Sequence, residues 1–162
     1  MLKKIAWSAL VLLLLIQFIR PNQTNPLVNA SLDFQTVANP PAEVLTSLKN
    51  ACYNCHSFET KYPWYTQVAP VSWWLANHIE EGRAHLNFSE FDKLSPEDRT
   101  EALGECTEVL QEGEMPLPSY TWLGLHPEAN LSESQRNYLV QWFNANGGEA
   151  SNSEEHEKND NN

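Results

Sequence analysis

The stretch Cys52-Tyr53-Asn54-Cys55-His56 decides the fold, because it sets two thiols three residues apart and places a histidine directly after the second. Residues three apart on a helix share one face, so both thiols can reach the same edge of a flat ligand. The pattern is the signature of covalent haem attachment, in which the thiols form thioethers with two vinyl groups on one porphyrin edge. His56 would then supply an imidazole to the iron. The stretch therefore predicts one covalently attached c-type haem per chain.

Three other chemistries use closely spaced cysteines, and each lacks a part in this sequence. A thioredoxin-like dithiol expects a βαβ setting, which the sequence pattern does not offer. A zinc site needs a second pair of ligands, and only Cys106 and scattered histidines are available for it. A structural disulfide between Cys52 and Cys55 explains neither His56 nor the six tryptophans. Cys106 is predicted to be a buried free thiol, with intermolecular pairing as the alternative.

Met115 is the candidate for the second axial ligand of the iron. It is the only methionine besides Met1, and it lies 59 residues after His56 in Gly113-Glu114-Met115-Pro116-Leu117-Pro118. A methionine presented from a proline-rich loop is how small class I cytochromes c fill the distal position. Three histidines are the alternative ligands, although each also fits a structural role: His78, His85 and His126.

The body of the chain is predicted to be all-helical. A proline-rich start over residues 39–43, an apolar stripe over residues 71–85, a capping pattern over residues 95–98 and a capping box at Ser132 each predict a helix. Because no stretch alternates with period two, the predicted fold class is all-α. With the haem-attachment motif and the Met115 loop, the domain is expected to resemble a small class I cytochrome c around one covalent haem. The porphyrin is flat and apolar, so it offers large aromatic side chains a surface to pack on. The aromatic residues predicted to line and cover it are Trp64, Tyr65, Trp73, Trp74, Tyr120, Trp122 and Trp142.

The N-terminus resembles an export signal, with Lys3 and Lys4 leading into an apolar run over residues 5–19. As a helix, this run would rise about 22 Å, less than the hydrocarbon core of about 30 Å, which favours a signal peptide. The nearest small-residue cleavage site, Val28-Asn29-Ala30, lies eleven residues further on, which favours an uncleaved anchor with both lysines inside the cell. The predicted location is the periplasmic side of the bacterial inner membrane, or the periplasm itself if the segment is cleaved.

Composition divides the chain into four parts: an anchor over residues 1–20, a tether over 21–38, a haem-binding domain over 39–148 and a disordered acidic tail over 149–162. The formal net charge is −11, and the parts from residue 21 onward carry all of the acidic groups. Such a body would repel phosphate backbones, so a nucleic-acid partner is excluded. It would suit a redox partner protein with a basic docking face.

The segment from Ala51 to Glu90 resembles the small haem-binding-domain family of bacterial cytochrome-c-like proteins. The matching strings are Lys61-Tyr62-Pro63-Trp64-Tyr65, Ala69-Pro70-Val71-Ser72-Trp73 and the residues 81–89, together with Gly113-Glu114-Met115-Pro116, His126-Pro127-Glu128-Ala129 and Gln17-Phe18-Ile19-Arg20-Pro21. The resemblance covers most of residues 30–145. It implies that Cys52, Cys55 and His56 hold the haem, that Met115 is the distal ligand, and that the protein is a membrane-tethered periplasmic monohaem cytochrome.

The expected function is the transfer of single electrons, with no substrate chemistry. One alternative is a haem-based sensor or small-ligand-binding module whose distal site is open or labile. A second is a peroxidase-like enzyme, for which no acid–base arrangement stands out in the sequence. A third is a thiol oxidoreductase that uses Cys52 and Cys55.

Overall fold

The computed structural model describes residues 1–122 and 124–147, and within these ranges every regular element is helical. The all-α prediction is therefore confirmed. The predicted disordered tail over residues 149–162 lies outside the described residues. The α-helices are α1 (Leu2–Ile16), α2 (Phe34–Val37), α3 (Ala42–Ala51), α4 (Tyr53–His56), α5 (Val71–His85), α6 (Pro96–Glu112), α7 (Pro118–Thr121) and α8 (Glu133–Ala145), and the 3₁₀ helices are Trp64–Gln67, Phe88–Lys93 and Pro127–Ala129.

The capping patterns predicted at Ser95 and Ser132 are confirmed. At α6, the Ser95 hydroxyl accepts from the Asp98 N–H, and the Asp98 carboxylate accepts from the Ser95 N–H. The same reciprocal pair forms at α8 between Ser132 and Gln135. Gly113 ends α6 in the left-handed conformation, with φ of 77°, which glycine adopts without a side-chain clash. The long helices thus begin where local sequence places them.

The core joins α3, α6 and α8 to a cluster of aromatic rings. Phe34 is at its centre, fully buried, with ring centroids 5.2 Å from Phe88, 4.9 Å from Phe91 and 5.7 Å from Trp142. The three pairs are edge-to-face, the arrangement that aromatic quadrupoles favour. Phe34 belongs to the segment predicted as a tether, and this segment therefore also contributes to the core.

The N-terminal helix α1 is exposed along its length and buries none of its residues. At its end, the Gln17 side chain is hydrogen-bonded to the backbone of Ala69, just before α5. None of the helices in the described ranges has both the length and the apolar character that crossing a membrane requires.

Candidate functional site

The cysteine–histidine motif forms one helical turn directly after α3. Cys52 is the junction residue: its N–H donates to Leu48 O at 2.8 Å, and its carbonyl accepts from His56 N at 3.0 Å. Cys52 and Cys55 are both free thiols, and they and His56 are partly buried. The turn therefore brings the three predicted attachment residues together, with Cys52 as the N-cap of α4 and Cys55 and His56 as its last two residues.

A backbone carbonyl orients the imidazole of His56. Its Nδ1 lies 3.1 Å from Leu86 O, and because a carbonyl only accepts, Nδ1 carries the proton. In a neutral imidazole, Nε2 then keeps its lone pair, and this is the second-shell arrangement that metal-binding histidines usually have. Burial lowers the pKa of His56, which favours that neutral form. His56 therefore has the tautomer in which Nε2 can bind a metal, and its role as an iron ligand stays a prediction.

Gly82 lets α5 approach the motif closely. A Cβ atom at this position would lie 3.1 Å from Cys55 O and 3.4 Å from His56 Cε1. The nearest of these neighbours is helix backbone, which cannot turn aside as a flexible side chain does. The absence of a side chain at residue 82 thus allows α5 to pack against α4.

We expect Gly82→Val to destabilise the fold by about 1–3 kcal/mol, because the added side chain forces α5 away from Cys55 and His56. The control is Ala84→Val at an exposed position on the same helix, where lower helix propensity costs about 0.5 kcal/mol. Denaturant titration followed by circular dichroism measures both free energies of unfolding. An equal loss of unfolding free energy in the two variants would contradict the close approach of α5 to Cys55 and His56.

The environment of the two thiols disfavours redox catalysis. Burial, followed by the proximity of Cys55, raises the pKa of Cys52 to about 12. Burial also raises the pKa of Cys55, against the opposing effect of Arg83. Thiol oxidoreductases need a lowered pKa that supplies a thiolate at neutral pH. The described residues contain neither a strand of a βαβ unit nor a group of three metal-binding side chains that could hold zinc.

Arg83 holds the loop that follows the motif, a role that the sequence alone did not indicate. Its Nε donates to Ser57 O at 2.8 Å, and its Nη2 donates to Thr60 Oγ1 and to Asn25 Oδ1, both at 3.0 Å. The guanidinium also lies over the ring of Phe58, 5.3 Å from its centroid. The only sequence signal for this residue was its place in a string shared with the family. Arg83 fixes the exit of the chain from α4.

Met115 lies in the loop between α6 and α7 and is partly buried. Its N–H donates to Val109 O at 3.2 Å, and its carbonyl accepts from Arg136 Nη1 at 2.9 Å. Five residues later, the Tyr120 hydroxyl accepts from Asn54 Nδ2, inside the motif, at 2.7 Å. Because five extended residues span at most about 18 Å, this bond keeps the Met115 loop near α4. Its role as distal ligand stays a prediction.

The buried histidine His126 is engaged at both ring nitrogens. Nε2 is hydrogen-bonded to the Tyr65 hydroxyl, and Nδ1 lies 3.3 Å from Glu128 Oε1. The ring stacks on Tyr120, with centroids 3.9 Å apart and planes at 15°. These contacts give His126 a structural role. The two other histidines considered as ligands lie on α5, where His78 is hydrogen-bonded through Nδ1 to Trp74 O of its own helix and His85 is exposed near the helix end.

The aromatic residues predicted to line the haem are divided between several places. Tyr65 and Tyr120 are close to the motif, since Cys55 contributes to raising the pKa of both after the larger effect of burial. Trp142 instead packs against Phe34 in the core, because the buried face of α8 points toward α3 and α6. Trp64 and Trp122 are largely exposed.

Comparison with protein families identifies a match to a model described as a haem-binding domain over residues 11–145. The match includes the motif, Arg83 and Met115, and it begins within α1. Neither the comparison with curated proteins nor the comparison with solved structures returns a match.

Proposed function

Since the chain belongs to the haem-binding-domain family, we propose that it is a c-type cytochrome that carries one covalent haem and transfers single electrons. The observation that supports this most directly is the α4 turn, where two free thiols precede a histidine whose Nδ1 is hydrogen-bonded to Leu86 O. Thioether formation requires free thiols, and axial ligation requires an available Nε2. Both requirements fit the residues present.

In the proposed holoprotein, Cys52 and Cys55 attach the porphyrin, and His56 and Met115 are the axial ligands. The haem supplies a one-electron iron couple. The residues around it keep their positions: Leu86 O orients His56, Gly82 gives α5 room, and Arg83 anchors the following loop. This function requires no bond-making step on a substrate, so we propose no enzymatic turnover.

Met115→Ala is expected to remove the weak red absorption that methionine sulfur gives to ferric haem, and to lower the reduction potential. Methionine as axial ligand raises the potential of c-type haem, so its loss acts in the opposite direction. Leu117→Ala is the control in the same loop and should leave spectrum and potential unchanged. Optical redox titration of the purified haem protein measures both quantities.

If Met115→Ala keeps the wild-type spectrum, Met115 is not the ligand. Rapid binding of carbon monoxide to the reduced wild-type protein would then favour a sensor with an open or labile distal site.

We further propose that α1 anchors the protein to the periplasmic side of the inner membrane, with Lys3 and Lys4 on the cytoplasmic side. The 15 residues of α1 are shorter than the hydrocarbon core, so the anchoring would require the two lysine side chains to extend to the headgroups and the bilayer to thin locally. Support comes from the apolar run that forms α1 and from its exposure along the whole helix. The acidic body would then attract a basic redox partner, with an association that weakens as salt is added. Mass spectrometry of the protein taken from its native membrane tests the anchoring, because the mass shows whether the N-terminus has been cleaved. The same mass reports the added haem.

A further inference from the structure

The chain that leaves α1 is bonded to the start of α5. The Gln17 side chain pairs with both backbone groups of Ala69: its Nε2 donates to Ala69 O at 3.0 Å, and its Oε1 accepts from Ala69 N at 2.9 Å. The Trp73 indole donates to Ile19 O at 2.7 Å. These bonds give the end of α1 a fixed position beside α5, since a free tether would make none of them.

Four large apolar side chains are exposed along residues 64–74, a segment that contains Ala69 and joins the 3₁₀ helix Trp64–Gln67 to the first turn of α5. We call them the apolar patch: Trp64, Val68, Val71 and Trp74, with 75%, 43%, 43% and 47% of their surface exposed. Val71 and Trp74 share a helix face because they are three residues apart. Val68 and Val71 flank the Ala69-Pro70 pair that Gln17 holds. The apolar patch is therefore next to the end of α1.

Acidic groups are absent from the sequence segments that form this region. Of the 21 Asp and Glu residues in the chain, none occurs in residues 1–32 or 60–79, whereas Arg20 and Lys61 do. The rest of the body is strongly acidic, so the lack of acids here is a local property. A surface without carboxylates does not repel the phosphates of lipid headgroups.

We propose that the apolar patch rests on the lipid bilayer surface, where α1 holds it. This inference depends on the proposed membrane anchoring. A helix of 15 residues rises about 22 Å, and a segment shorter than the hydrocarbon core draws its flanking residues into the interface. Tryptophan side chains favour that interface, since the ring is apolar and the indole N–H is polar. The haem domain then has a set orientation on the membrane.

Photo-crosslinking in the full-length, haem-loaded protein tests this orientation. A diazirine-bearing amino acid replaces Val71, Leu12 or Tyr138 in separate variants, each reconstituted into vesicles of phosphatidylethanolamine and phosphatidylglycerol. Tyr138 is the matched control, because 36% of it is exposed and its helix α8 packs on α6 and α3. An unchanged haem spectrum shows that each variant is folded. We expect lipid adducts in the Leu12 and Val71 variants and no lipid adduct in the Tyr138 variant.

The remaining outcomes separate the two proposals. Adducts at Leu12 without adducts at Val71 would overturn the docking of the apolar patch and leave the anchoring intact. No lipid adduct at either position would overturn both. A haem adduct at Val71 would show that the apolar patch covers the porphyrin, and equal labelling of Val71 and Tyr138 would show unspecific contact; either result overturns the docking.

Discussion

The variant in which alanine replaces both Cys52 and Cys55 is expected to lose all haem that survives denaturing electrophoresis. Two thioethers are the only proposed covalent links between chain and porphyrin. The axial bonds depend on the fold to hold their ligands in place, so they do not survive denaturation. Haem staining of the gel and the mass of the intact chain measure the result. Each single alanine variant keeps one thiol and should retain haem in reduced amount.

The matched control for this experiment is Cys106→Ala. Cys106 is also a free thiol, and it lies on α6 near Cys52, which contributes to raising the pKa of Cys106 after the larger effect of burial. It is outside the attachment turn, so its variant should stain as strongly as the wild type. Haem that stays bound in the double variant, or is lost in Cys106→Ala, would overturn the proposed attachment.

Phe34→Ala is expected to destabilise the fold by about 3–5 kcal/mol, the range for removing a buried phenylalanine from a core. The side chain is fully buried among three aromatic rings, so its deletion removes both burial and edge-to-face contacts. The free energy of unfolding of the haem-loaded protein, from denaturant titration, is the measurement. The result would show that residues before 39 are part of the folded domain.

Leu27→Ala is the control within the same segment, since 96% of Leu27 is exposed. Such a surface change alters stability by no more than about 0.5 kcal/mol. If both variants lose the same stability, residues 21–38 do not contribute to the core in solution.

Much of the fold was predictable because its signals are local. The capping boxes at Ser95 and Ser132 act over three residues, and the stripe of α5 repeats at helical spacing, so the ends of these helices follow from the sequence. The boundary at residue 39 had the same local basis, namely the proline-rich helix start over residues 39–43. It could not reveal that Phe34 packs into the core, because that burial depends on rings more than fifty residues away.

In the candidate site, too, some features follow from local sequence and others depend on distant segments. Its two thiols and His56 lie within five residues of one another and could be identified from their spacing alone, whereas the residues that support them could not. Leu86 O is 30 residues from the imidazole that it orients, and Arg83 is 26 residues from Ser57 O. Nothing in the local sequence pattern indicates that this carbonyl or this guanidinium contacts the motif.

The sequence by itself determined the all-helical class, the main helix starts and the haem-binding motif, because each of these depends on residues within one or two helical turns. Only the tertiary structure decided which carbonyl holds His56, why residue 82 is glycine, and where the chain after α1 is bound. These features arise where distant segments meet, and the contact between them depends on the path of the whole chain.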